Sequence, residues 1–159
     1  MDSNQLNEFL EISVVETIES LSGIKLENAG VRDEFNHNLS GLSVIVGFLG
    51  KQVRGVVAYY FSEKLALHLC RDAFDLQSDT INSEICDACG EIGNIISGCV
   101  KKLVVETGLS DYDITVPTVI AGTNYFVNFH GKTNSIVHVF RCAESDEVLY
   151  AEIKSEKLG

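Results

Sequence analysis

The spacing of apolar residues alternates between helical and strand-like patterns along this chain, and this succession limits the possible folds more than any other feature. Residues 4–22 carry apolar side chains three or four positions apart, and Gly23 follows, which predicts a first helix. Ser62 is placed to cap a second helix. A long third helix is predicted to begin near Thr80 or Asn82.

The segments between and after these helices are rich in β-branched and aromatic residues. Turn-prone stretches separate the runs, and the step from Gly50 to Lys51 is short enough for a hairpin. Within the last part of the chain His138 alternates with Val137 and Val139, so we expect it at a surface or edge of its strand. The strand-like runs are VRDEF, LSVIVGFLG, QVRGVVAYYF, DITVPTVIAG, YFVNFHG, SIVHVFRCA and EVLYAEIKS.

The order helix, strands, helix, then helix, strands predicts the architecture. We expect a single α+β domain over residues 1–159, with an antiparallel sheet of about six strands and three helices on one face. The same order is compatible with two related halves and a pseudo-two-fold axis. No low-complexity linker divides the chain.

The charge balance excludes several classes of partner. The net charge is -11, from 23 acidic and 12 basic residues, which repels nucleic acid and anionic lipid surfaces. No apolar run approaches the roughly 18 residues that span a bilayer. The N-terminal residues lack the basic and apolar regions of a secretory signal, so we expect a cytoplasmic protein.

The cysteines allow two interpretations. The five residues form an odd set in a chain without an export signal, which favours free thiols. Cys86 and Cys89 spell C-x-x-C, the pattern of a redox pair or of half a zinc site. A second such pair is missing, and Cys89 lies close to the apolar side of a predicted helix. We therefore favour small apolar packing residues over metal binding or thiol chemistry.

The third helix has an apolar stripe and a polar ridge. At about 100° per residue the stripe comprises Ile81, Ile85, Ala88, Ile92, Ile95, Ile96, Cys99 and Leu103. The polar ridge, on its flank, comprises Glu84, Asp87, Glu91, Asn94 and Gly98. Their steps of three and four make successive members neighbours on the helix surface.

Residues that disfavour helices surround Asn94. Gly90, Gly93 and Gly98 each cost about 0.8–1 kcal/mol relative to Ala in a helix interior. One interpretation is a low, bare surface that lets another protein approach Glu91 and Asn94. The other is tight helix–helix packing inside the fold, with the ridge merely solvated.

At these positions the sequence resembles the CheC/CheX/FliY family of chemotaxis phosphatases. The family motif is Asp or Ser, three residues, Glu, two residues, Asn, twenty-two residues and Pro. Asp87, Glu91, Asn94 and Pro117 match every fixed position, and Pro117 is the only proline in the chain.

The resemblance also predicts the number of sites. Family members with two active helices repeat the Glu/Asn pair on the first helix, but residues 4–22 contain no Glu followed three residues later by Asn. This favours CheX, the single-site branch, and implies a homodimer whose sheet is joined across the interface.

The function implied by the resemblance is hydrolysis of the aspartyl phosphate on a CheY-like response-regulator receiver domain. Asn94 would position the attacking water and Glu91 would pair with the receiver's lysine, while Asp87, Gly98 and Pro117 support the site. The implied Mg²⁺ belongs to the receiver, and the chain would need no cofactor of its own. The alternative is a non-catalytic domain that binds the receiver or acts as a scaffold.

Overall fold

A computed structural model describes residues 3–33, 38–108, 111–133 and 135–159. These residues form three helices, α1 (Ser3–Ser22), α2 (Glu63–Phe74) and α3 (Ser83–Glu106). They also form seven strands, β1 (Leu26–Arg32), β2 (Leu39–Gly50), β3 (Val53–Ser62), β4 (Tyr112–Ile114), β5 (Thr118–Tyr125), β6 (Ile136–Cys142) and β7 (Val148–Lys157). None of the helices in this part of the chain is long and apolar enough to cross a membrane.

The second and third helices begin where their capping residues predict. The Ser62 hydroxyl accepts a hydrogen bond from the Leu65 backbone N–H at 3.1 Å. The Asn82 side chain accepts one from the Ile85 N–H at 2.9 Å. Each bond satisfies an amide that the first helical turn leaves without an intrahelical partner, so local chemistry fixes both starting points.

All seven described strands belong to one antiparallel sheet, which confirms the α+β class. The order is β1-β6-β7-β3-β2, and β2 then pairs along its free side with both β4 and β5. The predicted hairpin joins β2 to β3, with Leu49 opposite Arg54. The structure has seven strands rather than about six because the run 113–122 contributes to two of them.

The strand order supports the prediction of two related halves. Exchanging β1, β2 and β3 with β5, β6 and β7 turns the order β1-β6-β7-β3-β2-β5 into its own reverse. The approximate two-fold axis then passes between β3 and β7, which pair directly. Under the same exchange α1 corresponds to α3, since each precedes the three strands of its half.

One strand prediction was right only in part, another was wrong, and one surface prediction was wrong. The run VRDEF contributes only Val31 and Arg32 to β1, which starts at Leu26 and pairs with β6; residues 34 and 35 lie outside the described residues. Residues 126–130 form no strand. His138 is buried, because β6 lies beneath α1, and its Nε2 lies 3.2 Å from the Asn7 side-chain oxygen.

Both faces of the sheet are covered. The helices lie on one face, over a core that includes Leu42, Val44, Tyr59 and Phe140. On the other face the segment after β5 crosses the strands, and the Lys154 ammonium donates to the Phe129 carbonyl at 2.8 Å. Side chains of both orientations are therefore buried in the central strands.

Candidate functional site

Helix α3 turns a different side to the core from the one its apolar residues predict. The buried members are Ile85, Cys89, Gly90, Ile92, Gly93, Ile96, Ser97, Val100 and Val104. At about 100° per residue, the centre of this set lies roughly 90° from the centre of the predicted stripe. Ile95, Cys99 and Leu103 are half-buried and line a groove beside α1. The polar ridge consequently lies nearly opposite the core, on the outward side of the helix.

The glycines explain this orientation. A Cβ atom added at Gly93 would lie 2.5 Å from Val44 Cγ1, and one added at Gly90 would lie 3.1 Å from Val119 Cγ2. These two glycines permit close packing inside the fold, against the sheet rather than against another helix. At Gly98 an added Cβ would meet nothing within 4 Å, so the prediction of a bare surface holds at that position alone.

The side chains of Glu91 and Asn94 are accessible and unengaged. Glu91 is exposed and Asn94 half-buried. Within the described ranges, neither the carboxylate of Glu91 nor the amide of Asn94 forms a hydrogen bond or an ion pair. They lie one turn apart, which places their Cβ atoms about 5–6 Å from each other. Asp87 is exposed one turn before Glu91, so the predicted site residues of α3 share one surface.

The electrostatic character of the ridge is negative. Among the described residues, Glu84, Asp87 and Glu91 have no cationic partner. Both lysines of α3 are paired elsewhere: Lys101 lies 3.4 Å from an Asp113 oxygen, and Lys102 lies 3.8 Å from a Glu106 oxygen. Like charges three and four positions apart destabilise a helix slightly, and a basic partner would offset this repulsion.

Pro117 lies in a bulge at the edge of the sheet. Thr115 donates its backbone N–H to the Gly47 carbonyl and accepts the Gly47 N–H through its hydroxyl, both at 2.9 Å. Pairing resumes with Thr118 opposite Ile45, so Val116 and Pro117 together face a single residue of β2. A proline, which has no N–H to donate, is tolerated at such an edge bulge.

The bulge lies beside the central turns of α3. Gly90 packs against Val119, and the Lys101 ammonium reaches Asp113 at 3.4 Å. Between these contacts the helix rises about 16 Å while the strand spans about 20 Å in the opposite direction. Interpolation therefore places Pro117 level with the turn that holds Asn94.

A buried hydrogen bond beneath the ridge was missed by the sequence reasoning. The hydroxyls of Tyr59 and Ser97 lie 2.9 Å apart, and both residues are buried. Burial raises the pKa of the Tyr59 phenol, which therefore stays protonated. Ser97 follows Asn94 by three residues, so this bond fixes the inner side of the turn that presents the amide. A sequence signal for this bond would be a small polar residue of the helix, Ser97, that faces a large residue of the sheet, Tyr59.

The two cysteines of the C-x-x-C pattern have different surroundings. Cys89 is buried and faces Cys70 on α2, with the two sulfur atoms 3.6 Å apart, while Cys86 is half-buried. The hydrogen bond with Cys70, together with burial, raises the pKa of Cys89, and burial raises that of Cys86. Among the described residues no group of three or more His, Cys, Asp or Glu side chains could hold a metal ion.

The arrangement is suited to placing a polar molecule against a partner's reactive group. An amide both donates and accepts hydrogen bonds, and a neighbouring carboxylate can pair with a cation. The sequence model of the family described as chemotaxis phosphatase CheX matches residues 42–141. This chain belongs to that family. The matched span contains the ridge and Pro117, and the predicted resemblance to CheX is confirmed. No curated protein matches the chain.

Solved structures of CheX and CheC-like proteins share the fold. CheX from Vibrio vulnificus is 23% identical with a TM-score of 0.86, over 95% of this chain and 99% of that one. A CheC-like superfamily protein from Shewanella sp. PV-4 is 22% identical with a TM-score of 0.88, over 98% and 99%. A CheX–CheY–BeF₃–Mg²⁺ complex from Borrelia burgdorferi matches with 20% identity and a TM-score of 0.80, over 94% and 97%.

Proposed function

We propose that this CheX-family chain hydrolyses the aspartyl phosphate of a CheY-like receiver domain. The observation that carries the proposal is the pair Glu91 and Asn94: one turn apart, outward-facing, and unengaged within the described residues. A catalytic surface that serves another protein must be open before the partner arrives. The matching solved complex of CheX with CheY, BeF₃ and Mg²⁺ supports a receiver as the partner.

The chemistry required of this chain is modest. An aspartyl phosphate is a reactive acyl phosphate, and phosphoryl transfer is accelerated mainly by positioning and by charge stabilisation. The resemblance implies that the receiver brings its own Mg²⁺ and lysine. Asn94 then supplies what is missing, since its carbonyl oxygen accepts a hydrogen bond from water while its NH₂ donates one. Water held this way attacks the phosphorus while the bond to the aspartate oxygen breaks, which releases inorganic phosphate and restores the receiver's carboxylate without a strong base.

The neighbouring residues have supporting roles in this proposal. Glu91 pairs with the receiver's lysine and anchors the helix beside the phosphate. Asp87 extends the negative surface by one turn, and the absence of a side chain at Gly98 leaves room next to Asn94. Pro117, level with Asn94, shapes the edge strand against which α3 rests.

The test is phosphate release from each phosphorylated receiver of the same organism. We expect Asn94→Ala to lose at least about 100-fold in kcat, because misplacement of a reacting group costs that much. The matched control is Asn128→Ala, the same chemical change on the segment that crosses the opposite face of the sheet. Wild-type turnover in Asn94→Ala would remove the amide from the mechanism.

Glu91 is tested separately. Glu91→Gln keeps the shape of the side chain and removes its charge, so we expect weaker binding of the receiver, with a raised KM. Glu84→Gln makes the same change two turns earlier on the ridge and should have a smaller effect. Stoichiometric binding of phosphorylated receiver with no shortening of the phosphate lifetime would instead support the non-catalytic scaffold.

We also propose a homodimer joined through the β5 edge of the sheet. Among the described residues β5 pairs only with β2, so its other side is free. Exposed apolar side chains flank β5: Val116 is 86% exposed and Phe126 is 76% exposed. Unpaired edges with apolar neighbours favour pairing with another strand. Sedimentation analysis should find a dimer, and Val116→Asp should shift it toward monomer. A wild-type monomer at micromolar concentration would refute this.

A further inference from the structure

A groove between α1 and α3 adjoins the ridge and has no part in the chemistry described above. Its volume is about 350 Å³, within the range of ligand sites. Ile95 and Leu103 form its α3 wall, and Leu21 contributes apolar surface from α1. Because Ile95 directly follows Asn94 in sequence, the groove begins at the catalytic turn.

A partner centred on Glu91 and Asn94 is wide enough to cover this groove. An interface of standard size buries about 800 Å² on each partner, a patch roughly 32 Å across, and one of about 600 Å² is still roughly 27 Å across. From Glu91 to Cys99, which lines the groove, the helix rises only about 12 Å. Packed helix axes lie about 8–10 Å apart, so α1 also falls within such a patch.

The floor of the groove contains a hydroxyl without a partner. Ser13 is 2% exposed, and its Oγ makes no hydrogen bond within the described residues. The neighbouring Thr17 hydroxyl has only the long contact of 3.8 Å with the Cys99 sulfur. Buried polar groups are normally hydrogen-bonded, so these two hydroxyls suit an occupant that brings a polar group to an otherwise apolar groove.

The rim of the groove favours a positive charge. Glu16 is exposed at the rim and, among the described residues, has no cationic partner. Glu106 and Lys102 lie 3.8 Å apart and offset each other, which leaves one net negative charge. A long side chain with an apolar stem and a cationic tip matches this combination of apolar walls, hydroxyls and carboxylate.

We infer that the α1–α3 groove receives a Lys or Arg side chain of the docked receiver domain and thereby contributes to the choice of receiver. The inference rests on the proposed function, because that function supplies the partner. It assigns a role to α1, which lacks the Glu/Asn pair and has no other part in the site.

The test compares two charge reversals on α1. Glu16→Lys alters the rim of the groove, and Glu19→Lys makes the same change at an exposed position outside it. Both change the net charge equally, so general electrostatic steering affects them alike. With a phosphorylated receiver we expect Glu16→Lys to raise KM about tenfold at unchanged kcat, because charges at an interface rim act on association. Glu19→Lys should stay within about twofold of wild type.

A further variant fills the groove without altering charge. Ser20 is exposed and lines the groove, so Ser20→Trp obstructs it at little risk to folding. We expect it to raise KM as Glu16→Lys does, while kcat is retained. Asn94→Ala should show the opposite pattern, with kcat lost and KM changed little.

The outcomes separate this inference from the proposed function. If Asn94→Ala is inactive but Glu16→Lys and Ser20→Trp have the KM of wild type, the groove inference is overturned and the function stands. If no receiver is hydrolysed, the same variants are compared for binding to a receiver activated with beryllofluoride and Mg²⁺, where equal affinities overturn the inference. Binding of no receiver by wild type overturns both. Loss of self-association in Glu16→Lys without a change in KM identifies a second copy as the occupant and also overturns it.

Discussion

The glycines of α3 allow a sharp test of how closely the helix lies on the sheet. Replacing Gly98 by Ala places the new methyl group in open space and removes the helix penalty of Gly, so the protein should gain about 0.8–1 kcal/mol. At about 2–4 °C per kcal/mol for a chain of this size, the melting temperature should rise by about 2–4 °C.

Gly93→Ala should have the opposite sign. Its methyl carbon would lie 2.5 Å from Val44 Cγ1 and 3.2 Å from Tyr59 Cδ2. Carbon atoms prefer about 3.5–4.0 Å, so the helix must lift by about 1 Å. Neither neighbour yields easily, since Val44 is β-branched and buried and Tyr59 is held by Ser97. Overpacking of this kind costs about 1–3 kcal/mol, and the gain in helix propensity offsets about 1 kcal/mol of it.

The net expectation for Gly93→Ala is a loss of about 0–2 kcal/mol. Because both variants gain the same helix propensity, they should differ by the overpacking cost, about 1–3 kcal/mol in the free energy of unfolding. Gly90→Ala provides the intermediate case, because its nearest atom, at 3.1 Å, belongs to the half-buried Val119. Urea denaturation followed by circular dichroism measures all three. Equal stability of the Gly93 and Gly98 variants would refute the close approach of helix and sheet.

Two further predictions concern buried polar groups. Burial lowers the pKa of His138, with a smaller opposing effect from Glu11, so below about pH 6.5 the unfolded chain binds protons more readily than the folded one and stability falls. His138→Gln should flatten the dependence of urea midpoints on pH between about 7.5 and 5.5, and an unchanged slope would contradict this. Tyr59→Phe leaves the Ser97 hydroxyl unpaired and should cost about 1–3 kcal/mol. Adding Ser97→Ala should recover part of that loss, and no recovery would show that the hydrogen bond is not the cause.

Features with local causes could be predicted from the sequence. Ser62 and Asn82 cap helices because each serves an amide three residues ahead, a relation that depends on no distant part of the chain. The hairpin between β2 and β3 likewise depends on a short turn. The pairing of β1 with β6 joins distant segments, and nothing near Leu26 indicates its partner.

The orientation of α3 could not be predicted from its apolar pattern. Counting apolar residues treats Gly90, Gly93 and Ser97 as absent from the core, yet all three are buried. A helix that packs closely on a sheet uses small residues at the closest contact, and its larger apolar residues move to the sides. The prediction that His138 lies at the surface failed for a related reason. Alternation with valines indicates a solvent-facing side only if nothing covers that face of the strand.

The same packing accounts for the accessibility of the candidate site. With Gly90 and Gly93 against the sheet, the side of α3 opposite to them is turned outward, and this side carries Glu91. A larger residue at Gly93 would push the helix away from β2, and one at Gly90 would push it away from β5. Either change would move Asn94 relative to the bulge. No core residue touches the phosphate in the proposed reaction. The distance between helix and sheet nevertheless sets the position of Asn94, so under that proposal it affects the rate.

The corresponding helices of the two halves carry different residue types on their outward sides. Helix α1 precedes β1–β3, and α3 precedes the short β4 and then β5–β7 of the same sheet, so each exposes one side above it. Only α3 combines a carboxylate with an amide one turn later; the outward positions of α1 include Glu8, Ile12, Glu16 and Glu19. Carboxylates and an isoleucine cannot both donate to and accept from a water molecule, whereas they can attract and hold a basic side chain. Those residue types fit the proposed division, with the reaction on α3 and recognition of the receiver on α1.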